Sequence, residues 1–309
     1  MIPRIELSQA QRERALALPR REGKLRLVLD TDTKNEIDDQ FAVVYTLLSP
    51  RLSCEAIYAA PFYKPEYPSA KLGMEASFEE IHTVLQRMGK HGEGRTVLRG
   101  SDAWLSDLKK PVESEAARDL IERCLSSDEP LYVVAIGALT NIASALWLEP
   151  RIAEKMVLLW LGGNPESWYT TREYNLQGDV DATKLVLDSG VPMVRFPCKN
   201  VAEHIRSTPA EIDRYVRPCG AIGEYLADIF AGYIPGEVRS KVLWDLLPIA
   251  WLNEPRWAPT ELRPVPILRD DFTWDLSDTS RPVYRVAIDA DRDGILGHFV
   301  QLLQAAYGG

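Results

Sequence analysis

The chain has 309 residues, with 36 Lys plus Arg against 45 Asp plus Glu, a formal charge of −9. That sign argues against nucleic-acid backbones and anionic membranes as partners. No apolar run approaches the roughly 20 residues of a membrane helix, and Met1–Leu7 lacks the pattern of a signal peptide, so a cytoplasmic location is expected.

At 46% hydrophobic and 26% charged residues the chain can bury a sizeable core. Residues 1–22, rich in Arg and Glu, predict a helical arm on the outside of a domain spanning 23–309. Strands are expected at Leu25–Leu29, Cys54–Ala60, Leu131–Ile136, Met156–Leu161, Met193–Pro197 and Val283–Ile288, each an apolar run bounded by polar residues. Helical patterns fall at Asp38–Leu48, Glu75–Arg87, Glu113–Leu125, Asn141–Leu148, Asp181–Asp188, Ile222–Ala231 and Leu296–Ala306. Such alternation predicts a single α/β domain: a central, mainly parallel sheet flanked by helices, with a Rossmann-like core. Pro255–Pro266 reads as a loop or extended connection.

The first strand leads into Asp30-Thr-Asp32-Thr-Lys-Asn35-Glu36-Ile-Asp38-Asp39, five carboxylates within ten residues. Acids are favoured in a helix's first turn, and strand ends are where open α/β sheets place ligands. Like charges this close repel, and a hard divalent cation with oxygen ligands would hold them. The bland alternative is a solvated acidic loop before a helix. Two later segments also lie at strand ends, Ile136–Asn141 and Leu161–Asn164, and Glu173-Tyr-Asn175 lies a dozen residues further on, before Gly178–Asp181 starts a helix. Asp245, inside the apolar stretch Trp244–Trp251, serves as a helix cap, a ligand, or both. Asp289–Gly294 imitates a calcium loop but has Val300 where the bidentate Glu belongs, so it reads as a turn.

Cys54, Cys124, Cys198 and Cys219 are too dispersed for a zinc site or disulfide framework, and Cys54 and Cys124 read as core fillers. The four histidines form no metalloprotease motif, and no nucleophile elbow, P-loop or dinucleotide fingerprint occurs.

Taken in order, the segments Asp30–Asp39, Gly137–Asn141, Gly162-Gly163, Glu173-Tyr174-Asn175 with Asp179–Ala182, and Trp244-Asp245 resemble the inosine-uridine nucleoside hydrolases over roughly residues 24 to 305. The resemblance implies calcium-dependent hydrolysis of the N-glycosidic bond of a ribonucleoside or related riboside, giving ribose and free base. It implies a calcium ion held by Asp32, Asp39, Asp245 and the carbonyl of Ile136, with Asp32 also the base that activates water. Asp38, Glu173 and Asn175 would bind ribose hydroxyls, with Asn164 and Trp244 completing the substrate pocket. A homodimer or homotetramer is implied too.

The departures are specific. The acidic motif carries two extra residues, so Asn35 and Glu36 enlarge its loop and become candidates for an added ligand or a supporting acid. The family's late His is Trp244 here, its His-Gly loop is missing after Arg99–Trp104, and its early Gly-Asn is replaced by Ala60–Lys64. The base-binding half is thus rewritten, with Phe62, Trp168, Tyr169 and Trp244 as candidates for stacking on an aglycone. The lost His leaves open a catalytically weak ribosyl-binding protein on the same fold. Asp30-x-Asp32 also resembles the nucleophile motif of haloacid-dehalogenase phosphatases, although Lys34 departs from it.

Overall fold

The computed structural model describes residues 5–20, 22–234 and 238–308. Its strands are β1 Leu25–Thr31, β2 Leu52–Ala59, β3 Val97–Arg99, β4 Leu131–Ala135, β5 Met156–Leu161, β6 Met193–Phe196, β7 Arg206–Ser207, β8 Lys241–Val242, β9 Thr260–Pro264, β10 Ile267–Leu268, β11 Trp274–Asp275 and β12 Val283–Ala287. The helices are α1 Gln9–Ala15, α2 Asp38–Leu48, α3 Ala70–Met88, α4 Leu105–Leu108, α5 Glu115–Leu125, α6 Thr140–Leu148, α7 Tyr174–Gly178, α8 Val180–Ser189, α9 Pro209–Tyr215, α10 Gly220–Tyr233, α11 Leu246–Asn253 and α12 Arg292–Tyr307.

Eight strands form one sheet in the order β3-β2-β1-β4-β5-β6-β12-β9. All neighbours run parallel except β9, which pairs antiparallel with β12 at the edge. Burial on both faces explains the near-continuous apolar runs: β4, β5 and β6 are buried throughout. Along β1, Leu27 and Leu29 enter the core with α2 and α10–α12, while Val28 enters the opposite core with α5, α6 and α8. From β1 the chain builds outward to β2 and β3, then returns to lay β4 on the other side of β1. That reversal opens a crevice beyond the carboxyl ends of β1 and β4, where doubly wound sheets bind ligands.

The six expected strands are present, within two residues at each end. The expected loop or extended connection over Pro255–Pro266 contains the edge strand β9, whose one proline, Pro264, is tolerated because an edge strand leaves some N–H positions unpaired. Residues 1–4 and 21 of the expected arm lie outside the described residues. The rest includes α1, anchored by Arg12, whose guanidinium donates to the Gly190 carbonyl at 2.8 Å.

Candidate active site

Thr31 ends β1 and delivers Asp32 into the crevice. The loop turns back at once, as Asn35 N–H donates to the Asp32 carbonyl at 2.7 Å and its side-chain amide to Asp32 Oδ2 at 3.2 Å. The turn places Asp38 and Asp39 in the first turn of α2, whose cap residue Ile37 offers no side-chain acceptor. Thr31 Oγ1 donates to Asp39 Oδ1 at 2.5 Å. Asp245 stands at the start of α11 but makes no side-chain capping bond, so the capping role is not used. Its carboxylate instead meets Asp38 and Asp39, one oxygen from each of the three lying within 4.8 Å of the others.

These side chains line a cavity of about 270 Å³. Of the residues singled out from the sequence it brings together Asp32, Asn35, Glu36, Asp38, Asp39, Ile136, Asn164, Glu173, Asn175, Trp244 and Asp245. The solvated-loop alternative fails, because Asp32, Asp38 and Asp39 are each only 2% exposed. Burial, then the charges of Asp39 and Asp38, push the Asp32 carboxyl well above its usual range. Burial and the same two neighbours do likewise for Asp245. Asp39 is pushed up to about 7 by burial first and Asp38 second.

Within the acidic cluster the chain supplies a counter-charge of its own. Lys241, in β8, is 7% exposed and donates to Glu36 Oε2 at 2.5 Å, Asp38 Oδ1 at 3.1 Å and the Val242 carbonyl at 2.8 Å. Burial works upward on Glu36, but Lys241 overrides it and holds the carboxyl below its usual value. Among the described residues, no Lys or Arg hydrogen-bonds Asp32, Asp39 or Asp245. Three buried carboxyls, the nearby Ile136 carbonyl and no cationic donor make an all-oxygen set that fits a hard divalent cation.

The opposite wall follows β5 and β6. Glu173 caps α7: its carboxylate accepts from Asn175 N–H at 2.9 Å, Leu176 N–H at 3.1 Å and Gly163 N–H at 2.9 Å. The Asn175 amide nitrogen donates to the carbonyls of Ile136 and Leu161 at 3.1 and 3.0 Å, joining the ends of β4 and β5. Gly163 adopts φ 67°, and a Cβ there would meet Thr171 Oγ1 at 2.7 Å, so glycine is required for this close turn.

Sequence reasoning missed Arg172, Tyr174, Cys198, Lys199 and Lys241. Cys198 and Lys199 follow β6, so the strand-end rule that found the other segments would also have found them. Of the four stacking aromatics, Trp244 lines this cavity. Phe62 packs edge-on against Tyr67 beside a neighbouring recess, and Trp168 lies against Tyr169, which is 81% exposed.

Known proteins share this architecture. A purine-preferring ribonucleoside hydrolase from Gardnerella vaginalis superposes with a TM-score of 0.73 at 20% identity, covering 91% of this chain and 99% of that one. An inosine-uridine preferring nucleoside hydrolase from Bacillus anthracis gives 0.63 at 19% identity, covering 92% and 99%. In sequence, the pyrimidine-specific ribonucleoside hydrolase RihA of Salmonella paratyphi A is 24% identical over 91% of this chain and 98% of its own length. The family model described as inosine-uridine preferring nucleoside hydrolase matches residues 65–299. That span is most of the chain, and the chain therefore belongs to the inosine-uridine preferring nucleoside hydrolase family, enzymes that hydrolyse N-glycosyl bonds of ribonucleosides.

Proposed function

We propose that this enzyme is a calcium-dependent N-ribohydrolase that converts a ribonucleoside or related riboside to ribose and free base. The observation that carries the reading is the meeting of Asp38, Asp39 and Asp245 at the sheet's crevice, with Asp32 in the same cavity. Asp32, Asp39, Asp245 and the Ile136 carbonyl would hold the cation. When bound, it supplies Lewis acidity toward water and ribose hydroxyls.

Asp32 takes the proton from the attacking water. The water's oxygen bonds to C1′ as the C1′–N bond breaks, through an oxocarbenium-like state and with inversion. The base leaves with the bonding electron pair and takes a proton from solvent. Asp38 accepts from a ribose hydroxyl through lone pairs that Lys241 and the Trp244 N–H leave free. Asn175 offers its side-chain oxygen, since its nitrogen is spent on Ile136 and Leu161, and Glu173 completes the ribose contacts. Asn35 and Glu36 support the acidic loop from behind.

A second reading, a ribosyl-binding protein with weak turnover, is favoured by one observation: among the described residues, no histidine lines the cavity. A ribose-release assay over purine, pyrimidine and aryl ribosides, with and without calcium, separates the two. Asp32→Asn should lower kcat by about 10²–10⁴-fold, the usual weight of a general base. Ribose binding without any release would establish the second reading instead.

A further inference from the structure

The cavity is electrically two-sided. Its floor carries Asp32, Asp38, Asp39 and Asp245, while Arg172 and Lys199 stand on the wall after β5 and β6. In so acidic a cavity an arginine would be expected to fold onto a carboxylate, yet Arg172 ion-pairs with none among the described residues. Its guanidinium lies 4.1 Å from the centre of the Phe272 ring. Phe272 itself is held at φ 61°, and its carbonyl accepts from Thr171 N–H at 2.7 Å and Thr170 Oγ1 at 3.2 Å. The chain thus fixes the platform on which the guanidinium rests.

Lys199 is brought to the same place by one side chain. Asn164 accepts from Lys199 N–H at 3.4 Å and donates to the Arg172 carbonyl at 3.4 Å, clasping the two cationic residues side by side. The Lys199 ammonium sits 6.0 Å from the centre of the Trp244 ring. Its acidic partner Glu203, at 3.1 Å, is shared with Arg206 at the same distance, so that trio remains positive.

We infer that the substrate is an anionic riboside whose carboxylate or phosphate sits between Arg172 and Lys199 while its ribose faces the acidic floor. The inference rests on the hydrolase reading above and narrows its substrate class. A guanidinium fixed on an aromatic ring presents a preorganised fork to a planar or tetrahedral oxyanion, and the neighbouring ammonium adds a point charge. A neutral nucleoside offers no charge to either cation.

The test compares three ribosides built on the uracil ring: uridine, uridine 5′-monophosphate, and orotidine, whose ring carries a carboxylate. kcat/KM is measured with calcium at low and moderate salt, and affinities are measured by calorimetry on the Asp32→Asn enzyme. One anionic compound should exceed uridine by about 10- to 100-fold, the weight of one or two charge-assisted hydrogen bonds. Preference for the monophosphate places the anion at the ribose 5′ end, and preference for orotidine places it on the base. The ratio should fall about tenfold in Arg172→Ala and in Lys199→Ala, recover in part with Arg172→Lys, and shrink as salt rises. Uridine equal to or better than both anions overturns the inference. So does a preference that both alanine variants keep, since it then originates at the calcium floor. If no riboside releases ribose, the hydrolase reading fails, and the calorimetric ratios still decide the anion subsite.

Discussion

Lys241 grips Asp38 from behind: its ammonium lies 3.1 Å from Asp38 Oδ1, while the Trp244 N–H holds Asp38 Oδ2 at 2.9 Å. The other two ammonium protons reach Glu36 and the Val242 carbonyl, so all three donors are used. One lysine therefore ties the enlarged acidic loop, the start of α2 and the strand before Asp245 into a single unit.

Lys241→Met keeps the side chain's length and removes its charge. Asp38 would then be buried without its partner, a loss on the order of 3 kcal/mol of stability, and ribose contacts through Asp38 would loosen. A lower melting temperature and a raised KM are expected from calorimetry and kinetics. Unchanged values of both would show that the ion pair is dispensable.

With no cation bound, the enzyme should lose stability as pH rises from about 4 to 7. Burial raises Asp30 and, with help from Asp38, Asp39 from 3.8 to about 7. Between those values the folded chain keeps protons that the unfolded chain has released, so each pH unit costs up to about 1.4 kcal/mol per group. Calcium should flatten the part of the slope due to Asp39 and raise the melting temperature by mass action. Thermal melts from pH 4 to 8, with calcium or with a chelator, check both. Coincident curves would count against a cation among these carboxylates.

The leaving group should control the rate. Trp244 replaces the histidine that the family resemblance led us to expect, and its indole cannot deliver a proton at neutral pH. General-acid help is typically worth about 10²–10⁴-fold, so p-nitrophenyl riboside should react faster than inosine by a factor in that range. Equal kcat values would reveal an unrecognised acid. Tyr174, a cavity residue whose hydroxyl donates to the Tyr63 carbonyl at 2.5 Å, would be the next to replace.

Asp179 should prove a structural keystone rather than a reacting group. Only 1% exposed, it caps α8 through the Ala182 N–H. It also accepts from the N–H groups of Leu105 and Ser106 and from the hydroxyls of Ser106 and Thr140. Asp179→Ala strands these buried donors and removes a cap, a cost of about 3 kcal/mol. Denaturant titration should show the loss; a shift under about 0.5 kcal/mol would contradict it.

The sheet was legible because burial on both faces turns parallel strands into unbroken apolar runs, as in Met156–Leu161. β3, at three residues, is too short to make such a signal. α11 is buried throughout, so no polar face exists to reveal helical periodicity. α9 did announce itself, through Thr208, Pro209 and Glu211 in a capping box, and that signal was overlooked. The acidic half of the site was readable because carboxylates cluster in sequence before α2. Lys241 and Arg172 were not, since a lone basic residue shows its partner only after the chain has folded.

The clasp between Asp38 and Trp244 joins residues 206 positions apart. During synthesis, the acidic segment therefore emerges long before Lys241 and Asp245 can reach it. The catalytic pocket is a late product of folding, and a chain released before residue 245 has a Rossmann-like beginning with no active site.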